Sequence, residues 1–377
     1  MNSKKMLSDV LSRDGNNFDI LRLVAALGVI VGHSYAIAPQ APYTDGVLSL
    51  LHFDYSGSLA VKFFFFLSGL LVANSIISKP EPFSFLVKRA FRIFPALLVC
   101  LLICVFIIGP IFTNLSLGQY LSSADTWKYI RNNFFLIDII WRLPGVFSES
   151  PYGLNGSLWT LPYEVLCYIY LAVIFGLGLL KNRIVANLFF IAVILISFVL
   201  PAYLPGMFFE NPEAHLLPGC FALGALFASN KKYMVVELSH VVLIWILVLL
   251  LKSTAAYQFL FYVAFFYSCL YVSSIPYVIK KLRLPFDASY GVYIYGFVIQ
   301  QCLHHLFPAM GVHVNQVVAS LLAIGMGIIS WYLIEKRAIA YGHRVAAMDW
   351  KAPFFRIISP HKLASIDATG GLHCSQP

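Results

Sequence analysis

The sequence predicts an all-α polytopic membrane protein, a bundle of about ten transmembrane helices with both termini cytoplasmic. Three observations predict this class. Of the 377 residues 60% are hydrophobic and only 11% charged, where a soluble domain averages about 25% charged. The mean hydropathy is +0.80. Apolar runs of about 20 residues, enough to cross the hydrocarbon core, recur along the chain, and the basic residues between them fall on alternate sides.

The expected spans are 19–38, 58–78, 92–113, 157–180, 184–203, 213–229, 236–252, 257–275, 289–308 and 313–334. The sixth is short and holds Pro218 and Gly219, and the seventh and eighth are joined by very few residues. The stretch 127–143, WKYIRNNFFLIDIIWRL, mixes Trp and Phe with Lys and Arg and reads as an interfacial amphipathic segment. The chain divides into a cytoplasmic N-terminal segment 1–17, a membrane domain 18–337 and a basic cytoplasmic tail 338–377 that is partly disordered in composition. The N-terminus is basic, but the apolar run after it is long and lacks a small-residue cleavage site, so it reads as a retained first helix.

Orientation follows from charge placement. Of the 26 Lys and Arg residues, Lys128, Arg131, Arg142 and Lys252 fall in loops on one side, Arg22 and Lys62 lie in helices, and all the others fall on the opposite side. The positive-inside rule makes that opposite side cytoplasmic. The net charge of +9 is thereby a property of cytoplasmic loops and gives no sign of a nucleic-acid partner. The seven cysteines lie in apolar spans or the tail, in neither a disulfide nor a zinc pattern.

The first span, FDILRLVAALGVIVGHSYAIA, carries Asp19, Arg22 and His33. An ionisable group at the centre of a span costs roughly 2.5–3.5 kcal/mol, so one kept there faces a cavity or a partner. Arg22 and His33 are eleven positions apart, on one helix face and about 16 Å apart along the axis. The plain reading is a snorkelling arginine and a packed histidine. The functional reading is a cation near the cytoplasmic surface and an imidazole in the outer third. Glu164, roughly 10 Å inside the outer end of its span, shares that depth with His33. A carboxylate beside an imidazole orients it for general-base work on a hydroxyl; alternatively Glu164 pairs with Lys62 or lies in an outer vestibule.

Lys88, Arg89 and Arg92 precede the third span in VKRAFRIFP. Such a cluster either fixes topology and contacts lipid phosphate, or binds a phosphorylated donor through the bidentate guanidinium. Ser68 and Gly69 in FFFLSG permit close helix packing. Gln300, Gln301, His304 and His305 lie towards the outer end of the ninth span, where they either line an acceptor groove or anchor at the interface. Glu335 ends the tenth span beside basic neighbours.

In this order FDILRLVAALGVIVGH, FFFLSG, KRAFRIFP, SLWTLPYE, SYGVYIYGFVIQQ and YLIEKR resemble the acyltransferase-3 family of bacterial membrane acyltransferases, over roughly residues 17–337. The resemblance implies transfer of an acyl group, usually acetyl from acetyl-CoA, to a carbohydrate hydroxyl of O-antigen, exopolysaccharide, peptidoglycan or a lipid-linked oligosaccharide. It implies His33, Glu164 and Arg22 as catalytic residues, Arg89, Arg92 and Lys88 as donor-binding residues, no metal, and a bacterial inner-membrane location among membrane lipids. One departure is Gly296, where many members carry a histidine. Some members add an extracytoplasmic hydrolase-like domain; here the membrane part is expected to complete the transfer, alone or with a separate partner. The implied path brings acetyl-CoA from the cytoplasm, phosphates on Arg89 and Arg92, its pantetheine arm passing Arg22 to His33. The rival class is a proton-coupled transporter or flippase, which the intramembrane Arg, His and Glu would also suit; no internal repeat or matched pair of broken helices supports it.

Overall fold

Each apolar run expected to be helical is helical in the structure, a computed structural model that describes residues 5–12 and 14–348. The region of the tail from residue 349 on, with Cys374, lies outside the described residues. Helix α1 is Phe18–Ile37, opened by the Asn17 side chain accepting from the Ile20 amide, with Asp19 in the first turn facing the positive end of the helix dipole. Helix α2 is Ser56–Ser78. Helix α3 is Pro82–Ile103, its Pro82 in the first turn where a missing N–H costs nothing, and it continues through a π-helical turn, Cys104–Ile108, to Phe112. Helix α4, Ala124–Phe135, is the amphipathic segment: Thr126 and Tyr129 are buried while Trp127 and Phe135 are exposed.

A 3-10 turn, Gly156–Thr160, leads into α5, Leu161–Gly176. Then follow α6, Arg183–Val199; α7, Leu217–Ser229; α8, Leu238–Leu250; α9, Tyr257–Ser273; α10, Ser289–Leu306; and α11, Val312–Ser330. A second π-helical turn, Trp331–Glu335, joins α11 to α12, Lys336–Ala346.

Five of these helical stretches are long and apolar enough to cross a membrane: Phe18–Ile37, Ser56–Ser78, Pro82–Phe112, Gly156–Gly176 and Val312–Ala346. Five of the ten expected spans are thus long and apolar enough by this measure, and α6, α8 and α9 are apolar but shorter. Helix α7 has only 13 residues, nearly all buried, and is a core helix wrapped by its neighbours.

Glycines set how closely the helices pack. A Cβ on Gly69 of α2 would lie 2.0 Å from the Phe221 carbonyl oxygen of α7, and one on Gly224 of α7 would lie 2.0 Å from the Phe66 carbonyl oxygen of α2. The two backbones therefore meet at a separation that no side chain permits. Gly296 packs α10 onto Ile30 of α1, where a Cβ would stand 2.8 Å from the Ile30 side chain. The departure at Gly296 thus has a packing cause. At the arginine-bearing end, the two-residue strands Lys5–Met6 and Val235–Val236 pair antiparallel, and Asn17 donates to the Val278 carbonyl at 2.8 Å. These contacts fix the start of α1, and with it Arg22.

Candidate active site

The elements α1, α2, α3, α5 and α10 enclose a cavity of about 120 Å³, lined among others by Arg22, Ser68, Arg89, Arg92, Glu164 and Tyr168. Three arginines on two helices thus converge on one space, because Arg89 and Arg92 are three positions apart on α3 and share a face.

The arginines are not equivalent. Arg92 donates to Asp287 at 2.7 Å and to Glu335 at 3.0 Å, so two carboxylates hold it. Arg22 donates to Asp19 at 2.8 Å and lies 3.6 Å from Asp287. Asp287 stands in the loop before α10. Burial alone would raise its carboxyl, but Arg92 and then Arg22 bring it down to about 2. Glu335 is buried and also accepts from Ser330 at 2.8 Å. Arg89, by contrast, makes no ion pair among the described residues, and its Nε is shielded from solvent without a hydrogen-bond partner. An unpaired guanidinium beside a cavity is a ready anion site. Lys88 does not line the cavity.

Glu164 belongs to this arginine cavity. Tyr168, one turn along α5, donates a short hydrogen bond to it, and Tyr168 in turn bonds Ser68 of α2 at 2.8 Å. The expected hydrogen bond between Glu164 and His33 is not formed. The 3-10 turn places Leu161 as the first residue of α5, so Thr160, Glu164 and Tyr168 fall on the face towards α2 and α3. Lys62 does not pair with Glu164 either. It donates to Asp54 at 2.9 Å and to Ser58 at 2.6 Å, and Tyr262 donates to the same Asp54 carboxylate at 2.8 Å.

His33 stands beyond the cavity. Thr160 and Tyr293 are cavity wall, hydrogen-bonded to each other at 2.6 Å. One turn along α10 from Tyr293 is Phe297, whose ring meets the His33 ring edge to face at 4.9 Å. The His33 Nδ1 is shielded from solvent and has no hydrogen-bond partner. Further along, Gln301, His304 and His305 border a second cavity of about 810 Å³, while Gln300 is buried and donates to the Ile30 carbonyl and to Asn315. Among the described residues no group of three or more His, Cys, Asp or Glu side chains is arranged to hold a metal.

Of the residues singled out in the sequence, Arg22, Arg89, Arg92 and Glu164 line this cavity and Glu335 holds Arg92, whereas His33 and Lys88 do not line it. Sequence reasoning misses Asp287, Tyr168 and Thr160, and assigns Ser68 to packing. Asp287 has a usable signal, a lone acid in an otherwise basic loop. Tyr168 has another, standing four positions after Glu164 on one helix face.

A mostly helical protein with long apolar helices and an arginine-lined internal cavity is of the membrane-embedded transferase or transporter kind. Similarity to known proteins decides between them. The family described as an acyltransferase domain, acyltransferase-3, matches residues 16–336. The chain is 32% identical over 348 residues to an O-acetyl transferase of Shigella phage Sf6, covering 89% of this chain and 99% of that protein. It is 33% identical over 166 residues to nodulation protein 10 of Rhizobium leguminosarum bv. viciae, 41% of this chain and 42% of the relative. It is 31% identical over 151 residues to acyltransferase MdmB of Streptomyces mycarofaciens, 40% of this chain and 36% of the relative. No solved structure matches the chain. The chain belongs to the acyltransferase-3 family; it is a multi-pass membrane O-acyltransferase.

Proposed function

We propose that the protein moves an acetyl group from cytoplasmic acetyl-CoA to a hydroxyl of a cell-surface or lipid-linked carbohydrate, O-antigen or exopolysaccharide, in the bacterial inner membrane. The observation that carries the donor side is Arg89, a cavity-lining guanidinium that holds no carboxylate and whose Nε is shielded from solvent. The wall of that cavity at Tyr293 lies one helical turn from Phe297, the ring against His33. In this reading Arg89, with Lys88 next to it in the chain, takes the donor's phosphates. Arg92 keeps its place between Asp287 and Glu335 and shapes the cavity, and Arg22 shares the Asp287 carboxylate. The charge placement in the loops supports a cytoplasmic position for this end. The similarity to an O-acetyl transferase of a phage supports acetyl as the group moved.

His33 receives the proton of the acceptor hydroxyl as its oxygen attacks the thioester carbonyl. The C–S bond breaks and CoA leaves as the thiol once it takes up that proton. A covalent acetyl-imidazole is the two-step form of the same transfer. Glu164, hydrogen-bonded to Tyr168 and facing the arginines, acts on the donor cavity and not on the His33 ring.

The test is the surface polysaccharide of a deletion strain carrying an empty vector, the intact gene or His33→Ala. An acetyl-sized mass gain with the intact gene alone, located by proton NMR on a sugar carbon, is the expected result. Equal polysaccharide with intact gene and empty vector would overturn the carbohydrate acceptor. Full acetylation by His33→Ala protein would remove His33 from the chemistry.

A further inference from the structure

The second cavity, about 810 Å³, opens where α1 and α10 end, away from the arginines. Ile37 on α1 is one turn past His33, and Gln301 on α10 is one turn past Phe297; both line it. The pair His33–Phe297 therefore stands between two cavities.

Their walls differ in chemistry. Among the described residues no lysine or arginine lines the second cavity itself, though Arg142 donates to the Ser148 and Pro151 carbonyls of its wall, and one carboxylate, Glu149, does line it. The lining thus offers a phosphate no guanidinium or ammonium of its own, unlike the arginine cavity. One wall is of flat rings: His305 lies 5.5 Å from Phe112 and 5.2 Å from Phe147, and Tyr152 is 44% exposed. Polar groups line the cavity as well, among them His304, whose Nδ1 is shielded from solvent with no hydrogen-bond partner. Rings for the C–H face of a pyranose, with carboxylate, imidazole and hydroxyl groups for its hydroxyls, are the chemistry that recognises a neutral sugar.

The loop forming this wall is held in one shape. Gln301 donates to Ser150 at 2.9 Å and to the Gly153 carbonyl at 2.7 Å, and Thr113 donates to the Pro144 carbonyl at 2.8 Å. Within it Phe147 is buried at φ +46°, a left-handed conformation that costs a non-glycine residue free energy. The surrounding bonds keep it there, with its ring against His305.

We propose that this cavity seats the saccharide acceptor, with His305 and Tyr152 as its ring platform and Glu149 and His304 on the sugar hydroxyls. The proposal rests on the reading of His33 as the reacting imidazole. It adds where the hydroxyl comes from: past Ile37 and Gln301, on the side of Phe297 opposite the donor.

The test uses the full-length protein in two assays. Alkali-released acetate on surface polysaccharide reports the whole reaction, and thermal stabilisation of the purified protein by acetyl-CoA reports the donor cavity. The variants are Tyr152→Ala and Glu149→Gln, both at exposed positions, with His305→Ala and His305→Phe. Removing a ring or a hydroxyl partner is expected to cut polysaccharide acetate about ten-fold, the loss of one good contact. The acetyl-CoA concentration for half-maximal stabilisation should not change, and His305→Phe should keep most of the acetate because a flat ring remains. Wild-type acetate in all four variants would overturn the proposal, as would a loss accompanied by an equal loss of acetyl-CoA stabilisation. Failure of acetyl-CoA to stabilise even the wild type, with the acetate losses present, would overturn the donor site and support the acceptor site.

Discussion

The ring of Phe297 stands edge-on to the ring of His33, with centroids 4.9 Å apart and planes at 76°. Behind Phe297 is Gly156, where a Cβ would lie 2.5 Å from the Phe297 ring. The phenyl ring is therefore clamped between an imidazole and a bare backbone, and it leaves little room for an acyl chain on that side of His33. Phe297→Ala is expected to let propionyl- and butyryl-CoA serve as donors at a rate approaching that of acetyl-CoA. Competition between the three thioesters, read by mass spectrometry of the product, checks this. An unchanged preference would show that chain length is set elsewhere.

Arg89 and Arg92 should separate in kinetics and stability. Arg89→Ala removes a guanidinium that holds no carboxylate, so the protein should melt near the wild-type temperature while the KM for acetyl-CoA rises about ten-fold or more, as expected for loss of a charge-assisted contact. Arg92→Ala leaves the buried Glu335 without a cation and leaves Asp287 with Arg22 alone, 3.6 Å away. Breaking such a pair costs about 3–5 kcal/mol, so this variant should melt well below the wild type. Melting curves and acetyl-CoA titrations on both variants decide it. Reversed phenotypes would exchange the two roles.

Asp287 gives a pH dependence with a definite sign. Its carboxyl titrates at about 2 in the folded protein against an ordinary 3.8. The unfolded chain therefore binds its proton first as pH falls. The stabilisation is complete above about pH 4 and is lost between about pH 4 and pH 2. It is worth about 2 kcal/mol. Asp287→Asn protein should be less stable at neutral pH and should lose less further stability over that acidic window. Denaturation followed at pH 7, 4 and 2.5 measures both; a variant with the wild-type pH profile would refute the assignment.

The contact of α2 with α7 should tolerate no side chain at Gly69. The Phe221 carbonyl oxygen would be 2.0 Å from its Cβ, and both partners are helix backbone that cannot step aside. Gly69→Ala should destabilise the protein by about 1–3 kcal/mol or more, the range for overpacking. Gly325→Ala, whose Cβ would meet nothing within 4 Å, is the control and should be neutral or slightly stabilising. Size-exclusion profiles after graded heating compare the two.

Much of this architecture is legible in the amino-acid sequence. Hydropathy alone marks where the helices are, because a backbone in lipid must bond internally whatever its neighbours. The cost of a charge in a span makes Arg22, His33 and Glu164 conspicuous without any partner being known. The order of the short motifs carries the family. Hydropathy says less about what an apolar run faces: the apolar residues of α7 are nearly all buried against protein, and a one-dimensional pattern does not distinguish a protein neighbour from lipid.

Pairing was decided only by the tertiary structure. Along one helix, periodicity says that Arg22 and His33 share a face, but it says nothing of which helix that face meets. The sequence puts Glu164 at the depth of His33, yet the turn before α5 aims it at the cavity shared by Ser68, Tyr168 and the arginines. Arg89 and Arg92, three residues apart in one motif, look alike in sequence; Asp287 and Glu335 come from distant parts of the chain and bind one of them only. The separation of the arginine cavity from the second cavity across Phe297 and His33 likewise depends on how α1 and α10 cross at Gly296. Sequence fixes the chemistry and axial position of each group, whereas contacts between groups depend on helix rotation and crossing, which are set by side chains hundreds of residues away.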